Sequence, residues 1–151
     1  MNFIKAQKQI FDNIVAGDRV CGYWIDDDRF FVTGDSYHGF IFPKETIAFD
    51  VKRVNMLTKK LFDFNSAVPK NEAKETNNFK LIDRKRMYRA FKHVDGRDIY
   101  VSVNFLKHFQ NATYYQAKEN EALLVFEEIR GKKFPVGVVL PIRYSPAMDK
   151  V

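Results

Sequence analysis

Apolar side chains recur at Phe3, Ala6, Ile10 and Ile14, with Ile4, Phe11 and Val15 beside them. That spacing makes one stripe at helical period and predicts a helix over 3–15, which Gly17 is placed to end. Lys5, Lys8, Gln9, Asp12 and Asn13 fall largely on its other side. The pattern then shortens. A strand is predicted over 19–25, with Val20, Tyr23 and Trp24, followed by the polar turn Asp26, Asp27, Asp28 and a second strand over 29–33. The run from Gly34 to Gly39 is a dense turn signal, and a third strand over 39–42 stops at Pro43.

The next third is less regular. Ile47, Phe49, Val51 and Val54 alternate and predict a strand, whereas Met56, Leu57, Leu61 and Phe62 are spaced for a short helix or helical turn near 54–62. Residues 65–78 are polar and poor in large apolar groups, and they read as an exposed connection. Patterning resumes at Phe79. A strand is predicted over 87–94, and Asp95-Gly96 is a hairpin signal joining it to a strand over 98–103. Asn104 caps a short amphipathic helix over 103–112, with Phe105, Leu106 and Phe109 apolar. Strands follow over 113–117, 122–129 and 135–142, and 145–151 reads as a tail.

Helix followed by three antiparallel strands thus occurs twice, over 3–42 and over 103–142, and a leading strand precedes the second helix. The fold expected is α+β: a single domain over 1–144, built from units 1–64 and 79–144 that the polar stretch 65–78 joins. Its antiparallel sheet would carry both helices on one face.

Composition narrows this only slightly. With 151 residues, 46% of them hydrophobic and fifteen of them Phe, the chain can bury one sizeable core. A net charge of +6 permits attraction to phosphate or acidic partners without demanding it. The single cysteine, Cys21, excludes an intramolecular disulfide and fits a reducing cytoplasm. The N-terminal residues lack the apolar block of a signal peptide, and no run approaches the ~20 apolar residues of a membrane span, so a cytoplasmic protein with no membrane partner is expected.

Three stretches carry a resemblance. Ile99 to Phe109 (Ile-Tyr-Val-Ser-Val-Asn-Phe-Leu-Lys-His-Phe) resembles the strand-into-helix segment near the end of the bacterial replicative sliding clamp, the DNA polymerase III beta subunit. Val138 to Tyr144 is similar to that family's closing strand, with its aliphatic-Pro-aliphatic-Arg pattern. Phe30 to Gly39 resembles a clamp strand that ends in a Thr-x-Asp-like turn. The strand-helix-strand-strand-strand unit, twice per domain, is the organisation of clamp domains. Family clamps carry three such domains and end almost at the closing strand. This chain has room for one and continues to Val151, so a ring would need further copies or a partner.

The resemblance implies a non-catalytic, DNA-associated or protein-docking module without cofactor or metal. Its helix faces would meet double-stranded DNA independently of sequence, through Lys5, Lys8, Gln9 and Asn13 on the first helix and Lys107, His108, Gln110 and Asn111 on the second. It also implies that Leu140, Pro141, Ile142, Arg143 and Tyr144 help form a groove for partner peptides, from replication-type proteins or from a second copy.

Read without the resemblance, the densest basic block is Lys80, Arg84, Lys85, Arg86, Arg89 and Lys92. Tyr88 and Phe91 among them are either stacking surfaces for bases or the inward face of a strand. Two other classes stay open. Asp63, Glu72 and Lys74 imitate the acid and Glu-x-Lys elements of a small metal-dependent nuclease, and a structural or regulatory protein of a mobile element would bind no DNA at all.

Overall fold

Asn2 opens the first helix, its side-chain oxygen accepting the Lys5 N–H at 3.1 Å, and Gly17 beyond the helix end adopts φ +80°, a conformation glycine takes without a Cβ clash. The computed structural model describes residues 1–82, 84–117 and 122–142. Helix α1 (Phe3–Val15) buries Ala6 and Ile10 and half-buries Phe3 and Ile14. The single apolar stripe expected here is in fact two. Ile4, Phe11 and Val15 point outward, 82%, 57% and 70% exposed.

Ten strands follow among the described residues. The first four are β1 (Cys21–Trp24), β2 (Arg29–Thr33), β3 (His38–Pro43) and β4 (Asn55–Met56). The others are β5 (Glu72–Ile82), β6 (Arg86–Lys92), β7 (Asp98–Ser102), β8 (Ala112–Gln116), β9 (Leu123–Ile129) and β10 (Lys132–Val139). A second helix, α2 (Val103–Leu106), joins β7 to β8. All ten strands form one sheet in the order β4-β1-β2-β3-β10-β9-β8-β5-β6-β7. The protein is a mixed α+β fold. Among the described residues, no helix is long and apolar enough to cross a membrane.

The middle of the sheet explains the continuous apolar runs. Phe30, Val32, Phe40, Phe42, Leu123, Val125 and Val139 face α1 and the first core. Their neighbours Phe31, Ile41, Leu124 and Val138 face a second core on the opposite side, covered by Leu57, Phe62, Phe64 and Ala67. A strand buried on both faces needs apolar residues at every position, not at alternate ones. The second face is therefore covered by chain here as well as the helical one. Lys60 Nζ donates to Ile25 O at 2.8 Å, and the Phe62 N–H donates to the Tyr23 hydroxyl, which hold this cover down.

Five expectations are corrected. No helix forms over 54–62 and no strand over 47–54. Phe49 and Val54 dip into the first core, β4 pairs parallel with β1, and the apolar spacing of 57–62 serves a segment laid along the sheet. The stretch 65–78 is not merely an exposed connection, because Glu72–Ile82 is a strand. Its side chains are mostly polar, but its backbone pairs with β8 through Glu72 and Ala73 and with β6 from Lys74 onward. Helix α2 ends at Leu106 rather than 112. Phe109 turns into the core and Asn111 takes φ +48°, which a continuing helix does not allow. Lastly, β10 stops at Val139, and Pro135 is accommodated by an irregularity between Pro135 and Gly137.

Two features set the architecture. The last strands of the two repeated segments meet at the centre: β3 and β10 pair antiparallel, with Val138 opposite Gly39 and Val139 opposite His38. Strands β2 and β1 extend one wing, and β9 and β8 the other, each wing preceded in the chain by its helix. The far edge also curls back. The Ile142 N–H donates to Tyr100 O at 2.9 Å, so β7 reaches the segment that follows β10 and the strands from β10 to β7 are drawn into a loop. In the same half, the buried carboxylate of Glu127 contacts the Met1 ammonium and accepts the Gln110 N–H at 2.8 Å.

Candidate functional site

Helices α1 and α2 face the same side of the sheet and leave between them an open cleft of about 450 Å³, lined by Asn2, Lys5, Lys8, Gln9, Asp12, Lys107 and His108. Lys5, Lys8 and Lys107 are exposed. Lys8 reaches Asp12 at 3.4 Å, a solvated pair one helical turn apart that is worth little. Lys5 and Lys107 have no carboxylate within ion-pair distance among the described residues. The cleft therefore presents a net positive surface.

Beneath it the side chains interlock. Gln9 Nε2 lies 2.9 Å from His38 Nε2, and His38 Nδ1 lies 2.8 Å from Asp35 Oδ2. The His38 ring stacks on Phe105 of α2 at 4.2 Å and 16°, and His108 lies nearly parallel to it 6.0 Å away. Burial, then the charges of His38, Lys107 and Lys5, push the His108 imidazole down to about 4, so it is uncharged at neutral pH. Burial disfavours the Asp35 carboxylate, but hydrogen bonds from His38 and from the Tyr37 and His38 N–H groups outweigh it and keep Asp35 below its ordinary value. Through Gln9, the nearby Asp35 carboxylate and the Phe105 ring, His38 is a strut between α1, β3 and α2.

A second concavity, about 760 Å³, opens where the sheet curls back. Leu140, Pro141, Ile142 and Phe105 give it an apolar floor, and Arg86, Asp35 and Tyr37 stand at its rim. It gathers three of the five residues expected to dock partner peptides. Arg143 and Tyr144 lie outside the described residues, as does the tail 145–151.

The remaining sequence-predicted residues are scattered. Asn13 is occupied structurally: its amide donates to Asp18 at 2.8 Å and its side chain sits against Gly34. Gln110 keeps an exposed side chain while its N–H serves Glu127. Arg89 is held by Glu75 at 2.6 Å and by Thr76 O at 2.7 Å. Arg84, Lys85 and Arg86 are exposed where β5 turns into β6, apart from the helical cleft. Tyr88 and Phe91 are buried, so they belong to the core and not to a stacking surface. Glu72 and Lys74 sit on β5, and Asp63 caps a turn through the Asn65 N–H. Among the described residues, no group of three or more His, Cys, Asp or Glu is placed to hold a metal ion.

Sequence reasoning missed several lining residues of the larger groove, notably Tyr37, Ser102 and Asn104. Tyr37 sits in a turn, Ser102 at a strand end and Asn104 in α2, where only the curl of the sheet brings them into play. It also missed Phe79, an exposed aromatic on β5. Comparison with protein families, with curated proteins and with solved structures finds no match to this chain.

Proposed function

We propose that this protein is a non-catalytic module that binds the phosphate backbone of duplex DNA, organised like one domain of a sliding clamp. The observation that carries the reading is the cleft that gathers Lys5, Lys8 and Gln9 from α1 and Lys107 from the end of α2 on one side of the sheet. Ammonium groups on a shallow surface suit phosphates, which are recognised by charge and without regard to sequence. The clamp-like part of the reading is supported by the order of elements, a helix and three strands on either side of the β3–β10 seam.

The test is duplex affinity measured across a range of salt. Each phosphate contact contributes about −0.9 to the slope of log K against log salt, so Lys5→Ala with Lys107→Ala flattens that slope by roughly 2. An unchanged slope overturns the reading. Metal-dependent cleavage of DNA that disappears in Glu72→Ala would favour the enzymatic alternative instead.

The groove at Leu140, Pro141 and Ile142 supports docking of a short apolar peptide as a second role of the same module. Ile142→Asp should abolish capture of such peptides and leave duplex binding intact.

A further inference from the structure

We propose that the β5–β6 hairpin is a stacking platform for single-stranded nucleic acid, with Phe79 receiving a base and Arg84 and Lys85 receiving phosphates. The register places Phe79 opposite Arg89 and Leu81 opposite Met87, so these four side chains share one face of the hairpin. Three of them are large and apolar, yet Phe79, Leu81 and Met87 stand 51%, 56% and 44% exposed. The opposite face, with Ile82 and Tyr88, is the buried one. A cluster of large apolar groups left in water on one face marks a surface that a ligand covers.

Phe79 is also prepared for a ring. The Arg89 guanidinium lies 5.3 Å from the centre of its ring, and Arg89 is itself fixed by Glu75, by Thr76 O and by Asn77 Oδ1. One face of the phenyl group is thus backed by a cation, and a base on the other face completes a guanidinium–phenyl–base stack. At the tip, Arg84 and Lys85 are exposed and have no carboxylate partner among the described residues; Asp83 in the same turn lies outside them, and Arg86, opposite Ile82, turns to the other face. Charge beside an aromatic platform is complementary to a single strand, which offers phosphates and unstacked bases together.

The same face suits other partners less well. A lipid surface would desolvate the Glu75–Arg89 pair that backs Phe79, at a cost the three apolar side chains must overcome. A second copy would bring together two chains of net charge +6.

This inference does not rest on the duplex reading, and one set of measurements separates them. Binding of a labelled dT oligonucleotide of about 16 nucleotides is followed by anisotropy, beside a duplex and anionic phosphatidylserine vesicles. Phe79→Ser should weaken oligo(dT) binding about 5- to 100-fold, the range base stacking supports. Phe79→Trp should retain binding, with its fluorescence quenched by the bound oligonucleotide. Because Phe79 is exposed, both variants should melt like the parent. Lys5→Ala with Lys107→Ala should leave oligo(dT) binding intact even where duplex binding is lost. The proposal is overturned by any of three results: no oligo(dT) binding by the parent, unchanged affinity in Phe79→Ser, or a Phe79→Ser defect confined to vesicle binding or to self-association.

Discussion

Gln9 on α1 and His38 on β3 stand 2.9 Å apart, amide nitrogen to ring Nε2, and tie the helix that lines the cationic cleft to the centre of the sheet. The Gln9 amide is the hydrogen-bond partner of that ring nitrogen, and the Asp35 carboxylate stands 2.8 Å from the other. Gln7 Oε1 accepts the Ala48 N–H at 2.7 Å, so the two glutamines pin α1 at different places. Gln9→Ala leaves a buried ring nitrogen without its partner and should cost about 1–3 kcal/mol, read as a lower Tm or denaturant midpoint. Gln7→Ala should also destabilise, and the double variant should lose close to the sum if the two anchors act independently.

His108 makes stability depend on acid. Its imidazole titrates near 4 in the fold and near 6.5 in an unfolded chain, so the unfolded state takes up a proton first. The contribution is complete above about pH 6.5 and is lost as pH falls toward 4, a difference on the order of 2–3 kcal/mol. Thermal melts at about pH 7 and about pH 4.5 should differ less in His108→Phe than in the parent. Lys107→Ala should raise the His108 pKa in an NMR titration, because one of the charges that depress it is gone.

At the seam, a Cβ on Gly137 would stand 2.6 Å from Gly39 O and 2.6 Å from Phe109 Cζ. Substitution can remove the ring, but the backbone oxygen belongs to the paired strand and cannot retreat without opening it. Gly137→Ala should therefore destabilise by roughly 2 kcal/mol or more, and Gly137→Ala with Phe109→Leu should recover only part of the loss. Chemical denaturation of the three proteins measures both.

Hydrogen exchange distinguishes β5 from a linker. The amides of 79–82 lie in the ladder with β6 and should exchange far more slowly than those of 57–61, which have few backbone partners. Trypsin should accordingly spare the bonds after Lys74 and Lys80 under native conditions.

Strands with strong patterns were legible: β2 matches its predicted range, and β1, β3, β6, β7, β8 and β9 lie within a residue or two of theirs. Helix α1 was equally clear, because Ala6 and Ile10 sit at helical spacing beneath a polar face. The misreadings share a cause. Burial of Leu57 and Phe62 depends on a second sheet face that local periodicity does not reveal. Strand β5 is held by backbone pairing and the small buried Ala73, neither of which leaves an apolar signature. Site residues follow the same division. Lys5, Lys8, Gln9 and Lys107 could be nominated from helix faces, whereas Tyr37, Ser102 and Phe79 acquire their roles from curl and register alone.

The seam between β3 and β10 also has a consequence for synthesis. Strand β3 emerges from the ribosome well over half the chain before its partner, and until β10 arrives it presents unpaired backbone groups along His38, Gly39 and Phe40. The N-terminal segment thus cannot complete its sheet by itself, and the nascent chain carries a bare apolar edge that invites pairing with other chains. Chaperone dependence, or aggregation of fragments truncated before residue 132, is the cost of placing strands from the first and last thirds of the sequence side by side at the centre of the sheet.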